Sequence, residues 1–379
     1  MRSWAPPSRC VRARSKGYRD VRQVMVTTRA IRVKWQPSPA AAGLSRQSLP
    51  GGDMIGGPES AAVRRAHELI HVGGVDFSLT DLTKTRLGGV QNRFFRLFEP
   101  VKTQRLRLPT TLPEFSGLRH CASLSDSPVT AAAKLGGFWT DYNAAAICHV
   151  AACNLRCTYC YVERDHLSGR DSFPSSPSEI VAAFLELPSP PLGRLSILRI
   201  SGGEPLLAPE LVLGVAAELQ RRNLERRVLL KVESNLSAFA YSASQMSAAM
   251  RHKLSEIASM VALHATLHVK PNSPLWRAVQ RGMATALALG MDLYPAIGGA
   301  DWSRGDMESL LRELRDLSPN LPLRLAVRPF RLDYPSLLQR RHLPERDSDD
   351  APSEVWEKIL MKRYGVPYLG YPRHEVGLG

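Results

Sequence analysis

The stretch Cys153-Asn154-Leu155-Arg156-Cys157-Thr158-Tyr159-Cys160-Tyr161 gathers three of the chain's six cysteines into one short loop. Spacings of three and two residues let such a loop wrap three thiolates around one compact object. Thiolates are soft ligands, suited to zinc or to an iron–sulfur cluster. A closed zinc site takes four ligands, usually as two pairs far apart in sequence. No cysteine follows Cys160, so Cys148 or His149 would have to complete it. Iron–sulfur clusters are generally held by four cysteines; three suit a cubane with one iron left open.

A second motif follows. Ile200-Ser201-Gly202-Gly203-Glu204-Pro205 ends a hydrophobic run. A CxxxCxxC loop with an aromatic before its last Cys, followed by a strand-borne GGEP, resembles the signature of the radical S-adenosylmethionine superfamily. The resemblance implies that Cys153, Cys157 and Cys160 bind three irons of a [4Fe-4S] cluster and that S-adenosylmethionine chelates the fourth. It also implies that Tyr159 packs near the adenine, that Gly202 and Gly203 let backbone approach the methionine moiety, and that Glu204 accepts from its ammonium. Reductive cleavage would then give a 5′-deoxyadenosyl radical that takes hydrogen from a substrate, with ferredoxin or flavodoxin as the implied one-electron donor. The absence of cysteines after Cys160 argues against auxiliary-cluster domains.

Around the motifs, strand and helix patterns alternate as in parallel β/α architecture. Strands are expected at 144–150, 195–201, 228–234, 261–269, 291–297 and 323–328. Between them, Leu211, Val215 and Leu219 recur at helical spacing, as do Met307, Leu310, Leu311, Leu314 and Leu317 after an expected Asp306 N-cap. Six such units over 141–331 fit the α/β class and the partial, TIM-like (β/α)6 barrel of the superfamily. Residues 54–140 form an N-terminal segment, with a helix near 61–70 and an extended piece at 94–98, expected to pack on that core. Residues 332–379 read as an acidic linker at 347–350, a short helix capped by Ser353 and stopped by Gly365, and a tail of surface coil with Tyr368, Tyr371 and His374.

Strand alternation assigns faces, and the outer face of a β/α barrel must be apolar to receive helices. With Val261, Leu263, Ala265, Leu267 and Val269 outward, His264, Thr266, His268 and Lys270 point inward. Likewise Lys231, Glu233 and Asn235 point inward on their strand, Asp292 and Tyr294 on theirs, and Arg324 and Arg328 on the last; Arg199 is ambiguous. Four cations against Glu233 and Asp292 describe a wet, basic cavity rather than the apolar layers of a filled barrel, and suggest an anionic substrate. Relatives commonly bind the ribose and the methionine carboxylate at the end of the third strand, here Glu233, Ser234 and Asn235; Lys270 is the expected partner of that carboxylate. His268, Tyr294 and Arg328 are candidate substrate contacts. The catalytic residues themselves are not legible.

A chain of 379 residues, 44% hydrophobic and 22% charged, suits one large domain with appendages or two domains and excludes fibrous or wholly disordered classes. No apolar run approaches the roughly 18 residues of a membrane span, and the N-terminus lacks the apolar core of a signal peptide, so a cytoplasmic protein is expected. Residues 1–53 carry eleven Lys and Arg against two Asp, which is +9 of the net +15. They read as a disordered extension, or as one that is not translated, because Gly51-Gly52-Asp53 before Met54 can be encoded by a ribosome-binding sequence. Without them the remaining charge only mildly supports nucleic acid as a partner. Other readings stay open: an RNA-modifying enzyme; a glycyl-radical-enzyme activator, suggested by His268-Val269-Lys270 although activators usually carry an acidic residue where His268 stands; and a metal-binding structural or sensor module.

Overall fold

Parallel strands need long crossovers, and helices of one amphipathic face supply them. That pattern governs a computed structural model of the chain, which describes residues 58–98, 130–131, 134–136, 144–157, 160–188, 195–241, 246–271, 273–298, 302–328, 352–368 and 376–378. The elements in order are α1 (Pro58–Ile70), β1 (His71–Gly73), β2 (Asp76–Thr80), β3 (Arg96–Phe98), β4 (Ala144–Val150), β5 (Ser172–Ser175), α2 (Pro177–Leu185), β6 (Leu195–Gly202), α3 (Pro209–Arg221), β7 (Leu229–Ser234), α4 (Ala238–Tyr241), α5 (Ala248–Glu256), β8 (Val261–Leu267), α6 (Trp276–Ala288), β9 (Asp292–Gly298), α7 (Arg304–Leu317), β10 (Ala326–Arg328) and α8 (Pro352–Tyr364). Strands β4, β6, β7, β8, β9 and β10 pair in that order, every neighbour parallel, along an open path. This is the α/β, partial TIM-like barrel expected from the sequence. Residues 1–53, Cys121, Tyr159, the acidic run 347–350, Tyr371 and His374 lie outside the described residues.

The outward positions pack as predicted. Leu230, Val232, Leu263, Ala265 and Leu293 share one core with Leu211, Val215 and Leu219 of α3 and Met307, Leu310, Leu311 and Leu314 of α7. On the inner face a separate apolar group, Ala145, Ile197, Leu229, Ala262 and Tyr294, meets Ala131 and Leu135 and floors the barrel. The N-terminal strands continue the sheet: β2 and β3 both run antiparallel to β4, and β5 joins β2. The edge of β4 is thereby paired rather than left open.

Local chemistry corrects several boundaries. Ser303, not Asp306, is the N-cap of α7: its hydroxyl accepts from Asp306 N while the Asp306 carboxylate accepts from Ser303 N, a reciprocal capping box. Ser353 lies inside α8, which begins at Pro352, a residue whose missing N–H and fixed φ suit a first turn. Gly365, at φ +67°, ends the helix as expected. The last strand begins only at Ala326; Leu321–Arg324 is a 3-10 turn, because Pro322 has no N–H to give a neighbouring strand. Tyr368 is not surface coil. It is 2% exposed, and its hydroxyl accepts from Val327 N at 2.6 Å, clasping the tail to β10.

Candidate active site

The two motifs lie at the C-terminal ends of adjacent strands, β4 and β6, and the backbone locks them together. Gly203 N donates to Val150 O at 3.1 Å and Glu204 N to Ala152 O at 2.8 Å. A Cβ on Gly203 would overlap the Ala152 carbonyl oxygen and stand 2.6 Å from its carbon; one on Gly202, at φ +87°, would stand 2.6 Å from His149 Cγ. These glycines permit a close approach to the chain's own loop. Within the loop, Leu155 N points at Cys153 Sγ (3.4 Å), and Arg156 spans its base, donating to the carbonyls of Cys153 and Leu167.

Glu204 stands beside this loop, 1% exposed. Its Oε1 accepts from Ser234 Oγ at 2.6 Å and Leu206 N at 3.0 Å, and its Oε2 from Asn235 N at 2.6 Å. Burial nevertheless pushes its carboxyl up to about 7, the three donors only partly offsetting the desolvation. Asn235 ties the end of β7 to the cysteine loop: its Nδ2 donates to Asn154 Oδ1 at 3.1 Å and points at Cys153 Sγ at 4.0 Å, and its Oδ1 accepts from Ser237 N and Oγ. Asn154 Nδ2 donates to Ser237 Oγ in turn. Ser234 and Asn235, expected to meet the cofactor, are thus engaged in holding Glu204 and the loop.

The donor set fits an iron–sulfur cluster better than zinc. Cys153, Cys157 and Cys160 are all partly exposed, whereas Cys148 faces the helices in the outer core, where burial pushes its thiol up to about 12. A thiol on the outer face, away from the loop, is not placed to be a fourth ligand. His149 lies on the inner face, where its Nε2 accepts from Arg96 Nε at 3.4 Å, and burial with the Arg96 and Arg199 charges holds it neutral. Among the described residues no three His, Cys, Asp or Glu side chains converge on a point that one metal ion could fill.

Inside the barrel the expected single basic cavity resolves into separate groups. At the floor, Arg324 reaches Asp292 at 2.5 Å and Lys134 reaches it at 3.0 Å. Lys270, beyond the end of β8, pairs at the rim with Asp306 on α7 at 3.0 Å. In the interior itself Glu233, 8% exposed, is ringed by Arg199 (which does face inward), Lys231 at 3.6 Å and Arg328 at 3.5 Å, and accepts from Ser201 Oγ at 2.9 Å. Burial pushes its carboxyl up, but the three cations more than offset this and hold it well below the usual range. His268 adjoins the group, and burial lowers it to about 4, with Arg328 adding to the effect and Glu233 opposing it. Tyr294 stacks on His264 (5.2 Å between centroids), but its hydroxyl is turned to Asp292 at 2.9 Å, so it offers a face rather than a donor.

Sequence missed four contributors. Arg96, from β3, enters the interior against His149 and lies over the Tyr161 ring at 5.4 Å. Tyr161 OH meets Ser201 Oγ at 3.2 Å, linking the cysteine loop to Glu233 through Ser201. Asn154 and Ser237 complete the strut. A signal for Arg96 existed, since it is a lone charge in the apolar run Phe94-Phe95-Arg96-Leu97-Phe98.

A strand-borne GGE turn is thus seated on a three-cysteine loop at the C-terminal ends of adjacent parallel strands. Residues 147–264 match the model of the Radical SAM superfamily. These residues are a Radical SAM superfamily domain, and the protein is an enzyme whose cofactors are a [4Fe-4S] cluster and S-adenosylmethionine. A search of curated proteins gives no match. No helix among the described residues is long and apolar enough to cross a membrane.

Proposed function

We propose that this enzyme removes a hydrogen atom from a small anionic substrate held inside the half-barrel. Cys153, Cys157 and Cys160 hold the cluster, leaving one iron for the amino and carboxylate groups of S-adenosylmethionine. Glu204 has three of a carboxylate's roughly four acceptor positions filled by the chain, leaving one for the ammonium. Ser234 and Asn235 act through Glu204 and the loop, while Gly202 and Gly203 set the distance between the motifs and Tyr159 packs near the adenine. When bound, the two cofactors supply a 5′-deoxyadenosyl radical by one-electron reduction; the protein orients the partners and excludes water. A cytoplasmic setting with ferredoxin or flavodoxin as the donor suits this chemistry.

The observation that carries the reading is the backbone lock of Gly203 and Glu204 onto Val150 and Ala152, which fixes a buried carboxylate beside the start of the three-cysteine loop. The cations around Glu233 favour an anionic substrate over a neutral one. The test is anaerobic reconstitution of the full chain with iron and sulfide, then reduction with S-adenosylmethionine present. Formation of 5′-deoxyadenosine, read by mass spectrometry, is the expected result; bound zinc without iron, or iron without 5′-deoxyadenosine, would leave a metal-binding module.

A further inference from the structure

We propose that Arg96 is the anchor for the substrate's charged group: the open end of its guanidinium, on the β3–β4 side of the barrel, takes a carboxylate or a phosphate. The inference rests on the proposed function and names the residue and the chemistry that it left open.

Register and contacts place the residue. Arg96 stands opposite Ile147 of β4. On the inner face its Nε donates to His149 Nε2 at 3.4 Å, and its guanidinium carbon lies over the Tyr161 ring at 5.4 Å. His149 is one residue from the end of β4, and Tyr161 directly follows Cys160. Arg96 therefore sits between the strand that launches the cysteine loop and the residue that closes it.

Charge sets it apart. Arg199, Lys231 and Arg328 share Glu233, while Arg324 and Lys134 share Asp292. Arg96 is 5% exposed, yet it pairs with no carboxylate among the described residues. It acts on the same groups as Arg199, since both charges lower His149 and Tyr161. The nearby His149 and His264 are held neutral, by burial first. Glu233 thus faces an excess of inward cations, of which Arg96 alone lacks a carboxylate. Buried charges are ordinarily paired, and a neutral imidazole with a ring face does not replace a counter-ion. With Nε taken by His149, the Nη1 and Nη2 hydrogens remain. Neither nitrogen donates to a described atom, and neither is sealed off as Arg199 Nε and Arg328 Nε are. Two coplanar N–H groups at the end of a guanidinium match two oxygens of a carboxylate or phosphate.

The test uses the full chain with its cluster reconstituted, without S-adenosylmethionine or reductant. Its melting temperature is followed while acetate or inorganic phosphate replaces chloride at constant ionic strength and pH. The expected result is a Tm that rises with acetate, phosphate or both; which anion acts tells carboxylate from phosphate. Arg96→Met and Arg96→Gln should keep iron and a cooperative melt, but weaken the apparent Kd at least about tenfold, the factor that one charge-assisted hydrogen bond supplies. No rise with either anion, or an equal rise in a folded variant, would overturn the proposal. Failure of both variants to fold would make Arg96 a structural residue and overturn it too. So would variants that lose affinity only for S-adenosylmethionine, since the anion would then be the cofactor's carboxylate. The anion melts do not depend on S-adenosylmethionine cleavage, so failure of the radical reading would show separately, as missing 5′-deoxyadenosine.

Discussion

Gly203→Ala puts the coupling between the two motifs to the hardest test. The added methyl has no free volume: it would overlap Ala152 O, stand 2.6 Å from Ala152 C and 2.9 Å from Val150 O, all backbone atoms of the strand end that launches the cysteine loop. Relief requires the loop and the GGEP turn to separate, which breaks Gly203 N to Val150 O and Glu204 N to Ala152 O. Two hydrogen bonds at about 1 kcal/mol each, with roughly 1–3 kcal/mol for overpacking, give a loss of about 3–5 kcal/mol. In a domain of this size that lowers Tm by roughly 6–20 °C. Gly298→Ala, where the methyl meets no atom of the described residues within 4 Å, serves as the control and should stay within about 0.5 kcal/mol. The assays are thermal melting and iron per chain after anaerobic reconstitution. A Gly203→Ala protein that melts and loads iron like the parent would refute the reasoning, since the two motifs would then not be in contact.

Other expectations follow from the same geometry. Replacing Cys153, Cys157 or Cys160 with Ser should each abolish cluster loading, whereas Cys148→Ala, which removes a sulfur from the outer core, should load iron normally and cost about 1 kcal/mol. Glu233→Gln leaves Arg199, Lys231 and Arg328 without their shared carboxylate and should cost about 3–5 kcal/mol in urea unfolding. Glu204 sets a pH dependence in cluster-free protein. Its folded value of about 7 lies above the reference 4.5, so between these values the unfolded chain has lost a proton that the folded chain keeps. Stability from this group is therefore full below pH 4.5 and falls as pH rises to 7, by about 3 kcal/mol for the shift. Subtracting the same curve for Glu204→Gln should isolate that fall; parallel curves would mean that Glu204 does not titrate there.

The strands and the inward charges were legible because apolar and polar residues alternate cleanly, as at Val261 to Leu267, where the outer face must receive helices. Alternation fails where backbone chemistry intervenes. Pro322 turned the approach to the last strand into a 3-10 helix and sent Arg324 to Asp292 at the floor. Lys270 lies past the end of β8, where parity no longer dictates direction, and it found the Asp306 of a capping box. The cysteine loop and GGEP were readable as motifs, but their mutual contact was not: nothing in a linear pattern says that Gly203 faces Ala152, or that Asn154 reaches Ser237. Arg96 entered from a strand outside the parallel set, which local periodicity cannot connect to β4.

The central claim is that three protein sulfurs leave one iron to be chelated by S-adenosylmethionine. Electron–nuclear double resonance on the reduced, reconstituted enzyme, with the amino acid end of S-adenosylmethionine labelled by 15N and 17O, measures that bond directly. Coupling of both labels to the cluster is the expected result. A cluster signal without coupling to either label would contradict the account.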